Sequence, residues 1–223
     1  MKHIDLIIPT RNRWKKLQRC LKSICFETPD IILDVIIVCD GDHETACKLV
    51  SSNDNLVTRV VYVEKHSGSV YCRNLVTQTV EDALIYATDD IEFLEGSIDA
   101  AIESMRAKFP DEDGVIGFNV VSGGKFSPTA FGFVGQKFLR RYPNRKLFYP
   151  EYFLFSCQEI YYLGDKLGKF HLEMNAKINH YHPSKFRKER DKTHHDGRIN
   201  HAKDKEISNK RHAEGLIWGD AKT

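Results

Sequence analysis

Apolar residues arrive in short runs that alternate with segments of helical spacing. Ile4 to Ile8 is a β-branched apolar run that stops at Pro9-Thr10, as a buried strand of a parallel sheet would. From Arg11 to Cys25, Trp14, Leu17, Leu21 and Ile24 recur at three and four residues, which predicts a helix. Ile31 to Cys39 is again almost continuously apolar and ends at Asp40-Gly41-Asp42, so the opening reads as a βαβ unit. The alternation continues with a helix over 44–51, a strand over 59–63, the loop Ser67-Gly68-Ser69, a helix over 70–79 and a strand over 83–87. That strand stops at Thr88-Asp89-Asp90; a helix over 97–109 and a strand over 114–121 follow.

This order predicts one α/β domain built on βαβ units. In open α/β sheets ligands bind at the carboxyl ends of strands, so Pro9-Thr10, Asp40-Gly41-Asp42 and Asp89-Asp90 are expected to converge on one crevice. Residues 131–155 are rich in aromatics and carry Pro143 and Pro150, which suggests an irregular wall suited to acceptor recognition.

Composition narrows the picture. The 223 residues are enough for one domain with a substantial core, and 33 Lys or Arg against 31 Asp or Glu leave a net charge of only +2. The charge is nevertheless localised: from 184 to 212, ten basic residues face five acidic ones, so the rest of the chain carries −3. This stretch has almost no apolar face and reads as a solvated, partly disordered basic tail; a phosphate backbone is the partner its charge would suit. No apolar run approaches the ~20 residues of a bilayer span and the N-terminus lacks the order of a signal peptide, so a cytoplasmic protein is expected. The six cysteines form no CxxC pair and are expected to be free thiols.

Several of these segments, taken in order, resemble the family-2 glycosyltransferases. Ile4 to Arg13 looks like the family's opening strand and nucleotide loop, Leu17 to Ile24 like the following helix, and Val35 to Asp42 like the second strand and its acidic turn. Gly68 with Arg73-Asn74 matches the third loop and helix, and Tyr86 to Phe93 sits where the metal-binding acidic motif belongs. The resemblance implies the GT-A fold, an α/β Rossmann-like mixed sheet with helices on both faces, together with a UDP-sugar donor and a divalent cation, Mn²⁺ or Mg²⁺. It places Pro9, Thr10, Arg11, Asp40, Gly68, Arg73 and Asp89 at the donor, with Asp40 on the uracil and Arg73 beside the diphosphate. Asp90 becomes the metal ligand, whereas Thr88 stands where the family's motif begins with an aspartate.

Farther along, Cys157 to Phe170 is similar to the family's acidic-cluster helix, and its early carboxylate Glu159 is the implied catalytic base. Asn175 to His182 resembles the late strand whose histidine reaches the metal, with His180 the first choice and His182 the second. Each residue also has a plainer reading. Asp40 and Asp42 could form an Asx turn, Arg73 could be a solvated helix residue, and Glu159 could favour its helix dipole.

The expected organisation is a catalytic domain over 1–183, with the nucleotide part over about 1–93 and the acceptor part over 94–183, followed by a basic tail over 184–223. The expected activity is a metal-dependent, inverting glycosyltransferase acting on a hydroxyl. The acceptor leans to hydroxymethylated bases of DNA, with Lys185, Arg187 and Lys188 as candidate nucleic-acid contacts, and surface polysaccharide synthesis stands nearly level. A sugar nucleotidyltransferase and an inactive nucleotide-sugar-binding module are the other readings. Neither the sugar nor the oligomeric state is written in the sequence.

Overall fold

The computed structural model describes residues 1–52, 55–80, 82–124, 126–154 and 157–220, apart from the side chains of Asp196 and Arg198. The first half runs β1 (His3–Thr10), α1 (Trp14–Lys22), β2 (Ile32–Asp40), α2 (His43–Ser51), β3 (Val57–Val63), α3 (Ser69–Thr77) and β4 (Ala83–Tyr86). The second half runs β5 (Ile91–Phe93), α4 (Ser97–Lys108), β6 (Val115–Val120), β7 (Gly132–Val134), α5 (Gln136–Leu139), α6 (Cys157–Lys166), β8 (Phe170–His180) and α7 (Lys192–Ala213). All eight strands join one sheet in the order β3-β2-β1-β4-β7-β6-β8-β5. β1 pairs in parallel with β2 and β4, whereas β7 lies antiparallel between β4 and β6.

Burial on both faces explains the continuous apolar runs. In β1, Ile4, Leu6 and Ile8 point to one core and Ile7 to the other; in β2, Val35 and Ile37 oppose Ile36 and Val38 in the same way. The parallel crossovers leave the ends of β1, β2 and β4 side by side, because Thr10 stands opposite Cys39 and Ile7 opposite Tyr86. The mixed α/β architecture agrees with the sequence reading.

Three features differ from it. The first helix is shorter than 11–25, because Arg13 ends it as an N-terminal flanking residue and Asn12 takes a φ of +55°. The wall over 131–155 contributes a strand, β7, which pairs on both sides through Gly132, Phe133 and Val134. Most of the expected solvated tail is the helix α7, which packs back on the domain through Ile207, and beyond it Ile217 and Trp218 join the same core. Asp204 fixes that packing by accepting from the backbone N–H groups of Phe153 and Leu154 at 2.9 and 2.7 Å. Among the described residues no helix is long and apolar enough to cross a membrane.

Candidate functional site

The three strand ends meet at a crevice built from buried polar groups. Asp89 and Asp90 follow β4 and are 2 % and 4 % exposed. Thr10, at the end of β1, donates its hydroxyl to Asp89 Oδ2 at 2.8 Å, and Arg13 Nη1 donates to Asp89 Oδ1 at 3.0 Å. Burial pushes the Asp89 carboxyl up, a rise that the adjacent Arg13 only partly offsets. Burial acts on Asp90 in the same direction, but the imidazoles of His180 and His194 beside it overcome it and hold this carboxyl well below the ordinary range.

Asp90 is the meeting point of the site. Its Oδ1 accepts from the Thr88 hydroxyl at 2.7 Å and lies 3.4 Å from His180 Nε2, while its Oδ2 lies 3.6 Å from His194 Nε2 and from Arg13 Nη1. Thr88 therefore orients the remaining carboxylate. β5 and β8 bring His180 here by pairing Ile91 with His180 in antiparallel register. The imidazole packs between Phe126 and Phe131, with ring centroids at 4.7 and 4.9 Å, and its buried Nδ1 has no partner. His182 stands 5.3 Å from the His180 ring and 5.8 Å from that of His194.

His194 was not among the residues singled out by sequence. It enters from the first turn of α7, whose flanking residue Asp191 accepts from its backbone N–H at 3.0 Å. Asp191 also accepts from Lys16 at 2.7 Å and lies 2.9 Å from Arg13 Nε, while Thr193 donates to the Arg11 carbonyl at 3.1 Å. The start of α7 is thus fastened over the nucleotide loop. The Asp191 N-cap ahead of His194 is a local signal for a helix start.

The other expected donor residues divide into two groups. Pro9, Thr10, Asp40, Gly68, Arg73 and Asp89 are brought around the crevice, and Arg11 beside it meets α7. Asp40, 4 % exposed, accepts from His66 Nδ1 at 2.6 Å and from the backbone N–H groups of Ser67 and Gly68 at 2.7 and 3.0 Å. Asp42 has the plainer role, capping α2 through the Thr45 N–H while accepting from the Asn12 N–H. Gly68 has a φ of +90°, and an added Cβ would stand 2.6 Å from the Phe153 carbonyl oxygen, so both its conformation and its neighbour require glycine. Arg73 is not a solvated helix residue: it is 5 % exposed, donates Nη2 to the Ala87 carbonyl at 2.8 Å and leaves Nε unpartnered.

Glu159, the expected base, is engaged by structural partners on both of its oxygens. Oε1 accepts from the Tyr152 hydroxyl at 2.7 Å and Arg211 Nε at 2.8 Å, and Oε2 from Arg211 Nη2 at 2.9 Å and the Trp218 N–H at 2.5 Å. Four donors use the four lone-pair positions of a carboxylate, leaving none for an acceptor hydroxyl. Glu159 clamps the C-terminal segment to α6. Lys185, Arg187 and Lys188 remain exposed.

A single mixed sheet covered on both faces, with acids at the ends of β2 and β4 and a histidine returning on β8, defines the GT-A architecture of nucleotide-diphospho-sugar transferases. The chain belongs to glycosyl transferase family 2, whose model matches residues 5–163. Similar folds occur in GalNAc-T7 solved with UDP, GalNAc and Mn²⁺ (TM-score 0.63, 15 % identity, 81 % of this chain and 44 % of that one) and in S. aureus TarS (0.59, 16 %, 84 % and 38 %). The mannosyltransferase PcManGT of Pyrobaculum calidifontis, solved with GDP-Man and Mn²⁺, has a TM-score of 0.60 at 11 % identity, over 79 % of this chain and 56 % of that one. The chain thus spans about two fifths to just over half of these relatives' length. No curated protein sequence matches it.

Proposed function

We propose that the chain transfers a sugar from a UDP-sugar to a hydroxyl acceptor with inversion, using a divalent cation, Mn²⁺ or Mg²⁺, held at Asp90. The observation that carries this reading is the meeting of Asp90 and His180 at the strand ends, a buried carboxylate and imidazole 3.4 Å apart. Oxygen and nitrogen donors suit Mn²⁺, and the unpartnered Nδ1 of His180 leaves its ring free of a competing fixed tautomer. His194, 3.6 Å from the same carboxylate, and His182, whose ring lies 5.3 Å from that of His180, are the further candidate donors. When bound, the cation would offset charge developing on the departing diphosphate. GalNAc-T7 with UDP and PcManGT with GDP-Man each carry Mn²⁺, in keeping with this assignment.

The chain's own residues supply the rest. Arg73, a buried guanidinium that donates to the Ala87 carbonyl and leaves its Nε unpartnered, would serve the diphosphate oxygens. Asp40, held in place by His66 and the backbone N–H groups of Ser67 and Gly68, would turn to the uracil ring N–H by exchanging one of these loop contacts for the base. Asp89, tied to Thr10, would face the ribose, with Pro9, Arg11 and Gly68 shaping the loops around it. Incubation with a panel of UDP-sugars and Mn²⁺ should release UDP above the enzyme-free rate, and EDTA should stop the release. Turnover of GDP-sugars alone would overturn the assignment of Asp40 to a uracil, and no release from any donor would favour a binding module.

The acceptor we propose is DNA carrying hydroxymethylated bases. Glu189, Asp191 and Asp204 turn inward onto Lys16, Arg13 and the 153–154 backbone, while Lys185, Arg187, Lys188 and Arg190 stay exposed. The outer face is therefore more basic than the sequence sum. Each phosphate contact should contribute a slope of about 0.9 in log K against log salt on duplex DNA. Reversing Lys185, Arg187 and Lys188 to Glu should weaken duplex binding and flatten that slope by roughly two to three. An unchanged salt series would remove the nucleic-acid role of these residues.

A further inference from the structure

At the opposite end of the sheet from the crevice, a cavity of about 380 Å³ opens beneath the C-terminal end of α3. Its wall holds His3 and Asp5 of β1, Asp34 of β2, Arg59 of β3 and Asp82 just before β4. The register dictates this assembly, since Asp5 stands directly opposite Asp34 and Ile4 opposite Ala83. Asp5 and Ile7 share a face of β1, so a carboxylate takes a position where the neighbouring turns of the strand bury an apolar side chain.

Asp5 is the group that calls for a ligand. It is only 8 % exposed, and it has no hydrogen-bond or ion-pair partner among the described residues. Burial raises its carboxyl, a rise opposed by His3 and Arg59 and reinforced by Asp34 and Asp82. An ionised carboxylate left in this condition costs free energy that a bound cation would recover. Around it the wall is accessible, for the side chains of His3 and Asp34 are 31 % and 32 % exposed. His3 Nε2 lies 2.6 Å from Asp34 Oδ2, and its Nδ1 lies 3.8 Å from Asp82 Oδ2.

We propose that His3, Asp5 and Asp34 form a binding site for a divalent transition metal, separate from the donor crevice and serving to staple β1 to β2. One ligand atom from each of the three lies within 4.8 Å of the others, a spread that an ion at ~2.0–2.2 Å from each would draw together. One imidazole nitrogen with carboxylate oxygens is a donor set for Zn²⁺ or Mn²⁺ rather than for Ca²⁺. Three carboxylates against the single guanidinium of Arg59 leave two negative charges with the imidazole neutral, which a divalent ion balances.

The site is independent of the proposed donor-site cation, and the test separates them. Tag-free protein of residues 1–223 carrying Asp90→Asn is titrated with ZnCl₂ by calorimetry, alone and with His3→Ala and Asp34→Asn added. The bound Zn²⁺ should fall by one equivalent when the two changes are added, whatever the histidines near Asp90 retain. Asp5→Asn in the otherwise native chain supplies a second readout. In EDTA this variant should melt higher than the native protein, because a buried unpartnered charge is gone, and in Zn²⁺ it should melt lower, because a ligand is gone. Stoichiometry indifferent to His3 and Asp34, or an Asp5→Asn effect of the same sign with and without Zn²⁺, would overturn the site.

Discussion

Glu159→Ala is expected to destabilise the protein by about 3–5 kcal/mol, the usual cost of removing one member of a buried ion pair, and to leave turnover per folded molecule close to the native value. The cost arises because the carboxylate is shared by three partners. Arg211, 9 % exposed, would keep its charge without a counter-ion, and the Tyr152 hydroxyl and the Trp218 N–H would lose their acceptor. For a chain of this length that loss corresponds to a fall in the melting midpoint of roughly 10 °C. Because Arg211 stacks 3.7 Å above the Tyr149 ring as well, part of the helix should stay docked, and the C-terminal residues should become protease-sensitive before the sheet does. A catalytic base behaves differently: Glu159→Gln would leave the melting curve nearly in place and lower kcat by ~10²–10⁴-fold. Thermal melts alongside UDP release at a temperature where both forms are folded separate these outcomes, and the second pattern would restore Glu159 to the chemistry.

The contrast shows what the chain discloses by itself. Strands buried on both faces write themselves as unbroken apolar runs, so β1, β2, β4 and β6 are legible within a residue or two, and with them the carboxyl ends where Thr10, Asp40 and Asp90 collect. The pairing of His180 with Asp90 was accessible through the resemblance of the late strand. The docking of α7 was not, because the stripe that faces the domain is made of Gly197, Asp204, Ile207 and Arg211, with one aliphatic residue among them. Gly197 lets Leu154 approach, Asp204 holds a backbone turn and Arg211 holds Glu159. A helix fastened by ion pairs leaves no apolar period, and its composition reads as a solvated tail. For the same reason the two roles of Glu159 could not be told apart, since two of its three partners, Arg211 and Trp218, lie 52 and 59 residues away. β7 was hidden because three residues with a glycine first are too few to set a period.

Asp90→Asn is expected to abolish cation-dependent turnover, lowering UDP release by at least about 10²–10³-fold, with the fold retained. Retention follows from the surroundings. Asparagine keeps an oxygen for the Thr88 hydroxyl, and removing one of two adjacent buried carboxylates relieves the repulsion that Asp90 exerts on Asp89. Arg13 keeps Asp89 and Asp191 as counter-ions, so its charge is not stranded. What is lost is the negative charge that His180, His194 and Arg13 now hold in its ionised form. A neutral amide oxygen is a much weaker ligand for a hard divalent ion, so affinity for Mn²⁺ in the presence of UDP should fall as well. His180→Ala offers a graded comparison, because it removes the imidazole 3.4 Å away while leaving the carboxylate, and should weaken Mn²⁺ about 10–100-fold without erasing the response. The measurements are UDP release across a Mn²⁺ titration and Mn²⁺ binding followed by electron paramagnetic resonance, with circular dichroism to establish folding. Native turnover in EDTA, or a native Mn²⁺ response from Asp90→Asn, would place the metal elsewhere or remove it from the reaction, and Arg13 and Arg73 would then be the groups left to carry the diphosphate.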